Sequence, residues 1–364
     1  MRESFLFVLI ILITWLPSEL NGQNNVMHSV KESKIKAVYG FSKGLPSFKH
    51  KTNVEIVSIL QEWEVNAIFG DYEDFDLVDQ LHRAGIKVFV EVSFFVGEKW
   101  WRDYPVSRPV KDNGTLLEKE DWYAGVNPMD TDVFKAVLNK IQRIITSNTV
   151  DGIWLDFFRW PCHWESPKPN LYQTSFDDRT INLFLTEKRI TIPNNISNPI
   201  KRNQWILEKH LNSWAEFKCD QIVRLAEKVR QLVKSKNENI IIGLFHVPWT
   251  NEDFNNALKK IVGQDLARLS SHIDIFSPMV YHAMCGKSPQ WVQEITKYVY
   301  QTTNKPVLPI IQSMNIPREL SDTEFLHTLE FGLQADGSSG TIVFNLNGLN
   351  EAKLLKLKKV FEQY

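Results

Sequence analysis

Cysteine is scarce: Cys162, Cys219 and Cys285 are all that a chain of 364 residues contains. An odd count without CxxC spacing supplies neither a zinc ligand set nor a disulfide framework. A charge excess is lacking too, since 42 Lys+Arg stand against 43 Asp+Glu and leave a formal net charge of -1. With no basic block, nucleic acid and anionic lipid are not expected partners. HExxH spacing is absent, so no catalytic metal is expected, and the absence of GxSxG argues against an esterase. No cofactor is expected. After the first 20 residues no apolar run approaches the roughly 20 residues of a membrane span.

What is present begins with Arg2, then the apolar run "FLFVLIILITWL" from Phe5 to Leu16, then the polar "PSELNGQNN". This is the pattern of a secretory signal peptide, with residues 1–22 removed near Gly22 and an uncleaved anchor as the alternative. The expected product is exported, as one catalytic domain over residues 23–364. That region alternates short apolar runs with helical periodicity. The runs are "IKAVYGF" (35–41), "VNAIFG" (65–70), "IKVFVEVSFF" (86–95), "DGIWLDFF" (151–158), "NIIIGLF" (239–245), "DIFSPMVY" (274–281), "KPVLPIIQ" (305–312) and "GTIVFNL" (340–346). Strands apolar throughout are buried on both faces. Eight of them, most followed by helical sequence, predict an α/β fold: a (β/α)₈ TIM barrel. A doubly wound sheet is the alternative, but no Gly-rich fingerprint follows the first run. Loops after strands 3 and 4 are enlarged, and a long helix is expected over about 204–234.

Barrel active sites sit at the C-terminal ends of the strands. Asp156 closes the fourth run and Glu91 lies at nearly the same expected level of the third. If both point inward from strands about 4.8 Å apart, their carboxyl groups approach to about 5 Å, the spacing of a retaining glycosidase pair. Asp151 and Asp274 begin their strands and belong at the opposite end. Asp71, His246, Tyr281, His282, Gln312 and Asn345 stand at or just past strand ends, where polar groups suit a polyhydroxylated ligand. Trp100, Trp101, Trp160, Trp164 and Trp249 are candidates for stacking on sugar rings, Arg159 for hydrogen-bonding a substrate hydroxyl or holding Asp156 ionised, and Glu165 for contact with substrate. Cys162 and Cys285 both follow strands and are either bridged or free.

The stretch "NPMDTDVFKAVLNKIQRIITSNTVDGIWLDFFRWP" resembles the fourth-strand region of secreted TIM-barrel glycoside hydrolases, more distantly similar to the α-amylase and α-galactosidase groups. "DIFSPMVYH" resembles their sixth strand. The resemblance implies a carbohydrate substrate and a carboxylate nucleophile or base at Asp156. It leaves the general acid open among Glu91, Asp253, Glu252 and Glu165, because the loop after strand 6, "HAMCGKSPQW", has no carboxylate. A non-catalytic sugar-binding barrel is the competing reading; a carbohydrate deacetylase would need a metal cluster that the sequence does not offer.

Overall fold

The computed structural model describes residues 33–147 and 149–364; the expected signal peptide lies outside them. Residues Lys34–Tyr364 form one compact unit. Eight parallel strands close on themselves in sequence order: β1 (Ile35–Phe41), β2 (Ala67–Gly70), β3 (Lys87–Ser93), β4 (Gly152–Asp156), β5 (Ile241–His246), β6 (Ile275–Val280), β7 (Ile310–Gln312) and β8 (Gly340–Phe344). The β1–β8 ladder pairs Ile35 with Gly340 and Val38 with Val343, so the sheet has no open edge and the doubly wound alternative falls. Every residue of β4 and β6 is buried, as the unbroken apolar runs require. Among the described residues, no helix is long and apolar enough to cross a membrane.

Helices begin where side chains can accept from free backbone N–H groups. Thr52 caps Asn53–Glu62 in a capping box with Glu55, and Asp130 caps Thr131–Thr146 by accepting from the amides of Asp132 and Val133. The single long helix expected over 204–234 is instead two, Pro199–Lys209 and Leu211–Lys236, broken where His210 leaves helical geometry (φ -133°, ψ 23°). Asp151 and Asp274 do hold the N-terminal end of the barrel: Asp151 accepts from the Val88 amide at 2.7 Å, and Asp274 from the Ile242 amide at 3.0 Å.

The barrel interior is filled by aromatic rings. Phe69 lies 5.0 Å from Trp154, Phe89 4.6 Å from Trp154, and Phe69 5.6 Å from Phe245, centroid to centroid. Trp154 is fully buried, and its indole N–H is satisfied by Ser277 Oγ at 2.9 Å. So large a ring fits inside because β5 carries Gly243 beside it. A Cβ there would lie 2.0 Å from the indole.

The two enlarged loops pack on each other above this plug. Within the first, Val96 bridges to Gly125; its Lys111 bridges to Thr174 of the second, and the Cys162 amide donates to the Tyr123 hydroxyl at 2.9 Å. Gly125 is needed for that approach, since a side chain there would meet Pro161 at 2.6 Å.

Gly243→Val tests the plug. The branched side chain forces Trp154 aside, so stability should fall by about 2–3 kcal/mol, measured by urea denaturation; unchanged stability would show that the interior is loosely packed.

Candidate active site

At the strands' C-terminal ends the barrel opens into a cavity of about 710 Å³. Glu91, Asp156 and Glu165 line it together with Tyr39, Tyr281 and Phe344. Their register differs from the expected one. Ser93 is the β3 partner of Asp156, while Glu91 pairs with Trp154, two residues lower. An even offset keeps both carboxylates on the inward face, with Glu91 one layer deeper.

Each carboxyl group is held differently. Glu91 accepts from the Tyr39 hydroxyl on one oxygen and from Ser93 Oγ at 2.5 Å on the other. Asp156, 8% exposed, accepts from the amide of Phe157 at 2.7 Å. That bond forms because Phe157 turns into the left-handed region at φ 50°, an uncommon conformation for a bulky residue and one often found beside functional groups. Burial raises the Asp156 carboxyl well above the ordinary range, and the charge of Glu91 adds to this, while the Arg159 guanidinium and the Phe157 amide oppose it. Glu165 is raised as well, chiefly by burial and again against Arg159. Its Oε2 has no hydrogen-bond partner among the described residues, and the His163 imidazole stands beside it with Nε2 at 3.7 Å.

The aromatics that follow Asp156 divide between two tasks. Phe158 packs edge-on against Phe94 at 4.7 Å, and Trp160 lies among Trp214 and Phe217 and donates to the Lys218 carbonyl. These rings anchor the loop to the barrel. Trp164 is fully buried but stacks behind Tyr281 at 5.8 Å, and Tyr281 stacks in turn on Phe344 at 5.0 Å. Only Phe157 and His163 of this crowd line the cavity beside the carboxylates. Tyr281 faces the acids, and its phenol is pushed well above its ordinary value by burial and the nearby Asp156, so it stays a hydrogen-bond donor.

Most other expected mouth residues are placed elsewhere. Asp253 accepts from the Thr250 amide and hydroxyl at 2.7 and 2.8 Å and does not line the cavity; it closes the loop after β5, and the adjoining Glu252 is exposed. Asp71 accepts from the Lys43 amide at 2.9 Å in a separate surface depression. Trp100 stacks on Tyr104, Trp101 donates to the Gly125 carbonyl beneath the Arg108 guanidinium, and Trp249 packs on Phe254, all away from the cavity. Trp160 is a core residue rather than a sugar platform.

Arg159 is 1% exposed, lies over the Phe157 ring at 5.0 Å and donates to the Cys162 carbonyl at 3.3 Å, acting on Asp156 through its field without a direct bond. His246 is buried, contacts the Val247 carbonyl through Nδ1, and is pushed down to about 4 by burial. His282 pairs with Glu324 at 2.8 Å, Gln312 with the carbonyls of Met314 and Ile316, and Asn345 with Met314 Sδ. Cys162 and Cys285 are separate buried thiols.

Most lining residues, Asp121, Trp122, Tyr39 and Met279 among them, carried no earlier expectation. Asp121 and Trp122 sit in the loop after β3, and Trp122, 55% exposed, is held edge-on by Phe157 and His163 at the rim. Tyr39 lies on β1 and Met279 on β6, and because β6 is buried throughout, periodicity carried no signal for Met279. Among the described residues no group of three or more His, Cys, Asp or Glu is gathered to hold a metal ion.

A closed parallel barrel with carboxyl groups converging in its mouth is an arrangement that TIM-barrel glycosidases use. The chain belongs to the family described as "Putative glycosyl hydrolase domain", matched over residues 48–319. No curated protein matches it. Among solved structures it is similar to the β-galactosidase of the psychrophilic Marinomonas ef1, with TM-score 0.65 and 11% identity over 90% of this chain and 59% of that one. The β-galactosidase of Halorubrum lacusprofundi gives TM-score 0.64 and 11% identity over 90% and 57%. A GH42 β-galactosidase from G. stearothermophilus, as a catalytic mutant, gives 0.62 and 12% over 91% and 56%. The chain thus spans little more than half the length of these enzymes, and at such identity they establish a shared barrel.

A raised carboxyl in a folded protein keeps its proton when the unfolded chain has released it. Asp156 therefore costs stability as pH rises above the ordinary carboxylate range. Asp156→Asn should be more stable than the native chain at pH 7, by about 1–2 kcal/mol, with the difference disappearing near pH 4. Urea titrations at the two pH values check this, and a destabilised Asn variant at pH 7 would contradict it.

Proposed function

We propose that the protein hydrolyses an O-glycosidic bond with carboxyl groups in the barrel mouth. The observation that carries the reading is the meeting of Glu91, Asp156 and Glu165 in one cavity above an apolar floor. Cleaving an acetal needs one carboxyl protonated, to give the leaving oxygen its proton, and another ionised, to attack the anomeric carbon or activate water.

Glu165 suits the donor. It stands in a loop at the cavity wall, holds its proton to higher pH than an ordinary carboxyl, and has an unbonded oxygen. Asp156 suits the nucleophile or base by its place at the end of β4 facing the cavity, where the Phe157 amide and the Arg159 charge stabilise the ionised form that it takes up once its tightly held proton is released. Glu91, with both oxygens engaged by hydroxyls, fixes the charge behind Asp156. Tyr281 is positioned to donate to a sugar oxygen, and Trp122 offers a ring face at the rim for stacking. In this proposal the apolar N-terminal run directs export, and the enzyme works outside the cytosol.

Purified protein should release reducing ends from members of a glycoside panel. Glu165→Gln should lower kcat by about 10²–10⁴, with recovery on substrates whose leaving groups need no proton, and Asp156→Asn should reduce activity to background. The pH profile should be bell-shaped. Arg159→Met removes the charge that lowers Asp156, so its acid limb should move to higher pH. Undiminished turnover in Asp156→Asn would end the mechanism.

A further inference from the structure

The cavity has two chemically unlike sides. Glu91, Asp121, Asp156, His163 and Glu165 come from β3, β4 and the loops that follow them. The arc built by β6, β8 and the loops after β6 and β7 presents Met279, Met284, Met314, Ile316, Pro317 and Phe344. Tyr281 supplies the one side-chain hydroxyl on that arc among the described residues.

The apolar arc arises from polar side chains that face away from the cavity. Gln312 donates to the Met314 and Ile316 carbonyls, and its oxygen accepts from the Met284 amide at 3.3 Å, so one amide group binds together the loops that carry these three residues. His282 is committed to Glu324, which Arg318 also holds, and Asn345 reaches Met314. A second sugar ring on this side would find few partners for its hydroxyls, and burying unpaired hydroxyls is costly. Three of the chain's 6 methionines stand here. Methionine is unbranched and polarizable, and it moulds to apolar ligands of irregular shape. Ile316 remains 51% exposed at the rim, so covering it is favourable. No Lys or Arg among the described residues lines the cavity to neutralise an anionic substituent.

We propose that the bond cleaved joins a sugar to an apolar aglycone, an alkyl or aryl group seated against Met284, Met314 and Ile316. The inference rests on the glycosidase reading and names its substrate class. Glu165 protonates the aglycone oxygen as its bond to the anomeric carbon breaks, and the aglycone departs as an alcohol. Water gives its hydroxyl to the anomeric carbon and returns a proton to the carboxyl pair.

The test compares octyl and benzyl glycosides with disaccharides of the same glycone, using the full chain and reading kcat/KM. Both probe alcohols are no better leaving groups than a sugar hydroxyl, so a preference reports binding of the aglycone. At least one apolar glycoside should exceed its matched disaccharide by about tenfold. A lead for octyl marks an alkyl source, and a lead for benzyl an aromatic one. Met284→Gln should erode that preference severalfold, read as the ratio of kcat/KM for the apolar glycoside to that for its matched disaccharide. Ile316→Gln, at an exposed position that does not threaten folding, should act in the same direction. Disaccharides cleaved as well as the apolar glycosides, or a preference indifferent to both substitutions, would overturn the inference and leave the hydrolase standing. If neither class is cleaved, the hydrolase reading itself fails.

Discussion

The organising constraint is the holding of carboxyl groups in a mouth floored by aromatic rings. Water solvates a carboxylate far better than Trp154, Phe89 and Phe344 do, so each acid needs a substitute for that solvation. Glu91 has two hydroxyls, Asp156 a backbone amide and the field of the buried Arg159 guanidinium, and Glu165 that same field with an imidazole beside it but no hydrogen-bond partner for Oε2 among the described residues. Burial raises both Asp156 and Glu165, but their hydrogen-bonding differs, and acid–base chemistry needs carboxyl groups in unlike settings.

Much of the surrounding structure serves this arrangement. Phe157 enters a left-handed turn so that its amide reaches Asp156, and Phe158 and Trp160 then tie the same loop to the barrel wall. The loop after β3 interlocks with it through Tyr123, whose ring stacks on His163 at 5.6 Å and whose hydroxyl accepts from Cys162. The strain of the turn and the buried charge are local costs, offset by the large apolar interior. That division of labour is the ordinary relation between a rigid barrel and the loops that carry its chemistry.

The arc from β6 to β8 follows the opposite rule. Polar side chains at those strand ends face the protein and knit its loops, leaving methionine, isoleucine and proline toward the cavity. One mouth thereby joins a wall of carboxyl groups to an apolar wall.

The sequence by itself determined the barrel. Eight apolar runs at regular intervals can bury both faces only as a parallel sheet wrapped in helices, and the enlarged loops after strands 3 and 4 were visible as departures from that rhythm. It also singled out Asp156, because a carboxylate ending an apolar strand has little other reason to be there. Which further residues meet it was decided by the tertiary structure. The register of β3 against β4 set Glu91 one layer lower, and the fold of the 160s loop brought Glu165 in and sent Trp160 to the core. Strand-end position tells that a side chain is near the mouth. Whether it faces ligand or protein depends on partners distant in sequence, as Gln312 with Met284 and His282 with Glu324 illustrate, and periodicity along one strand carries no record of them.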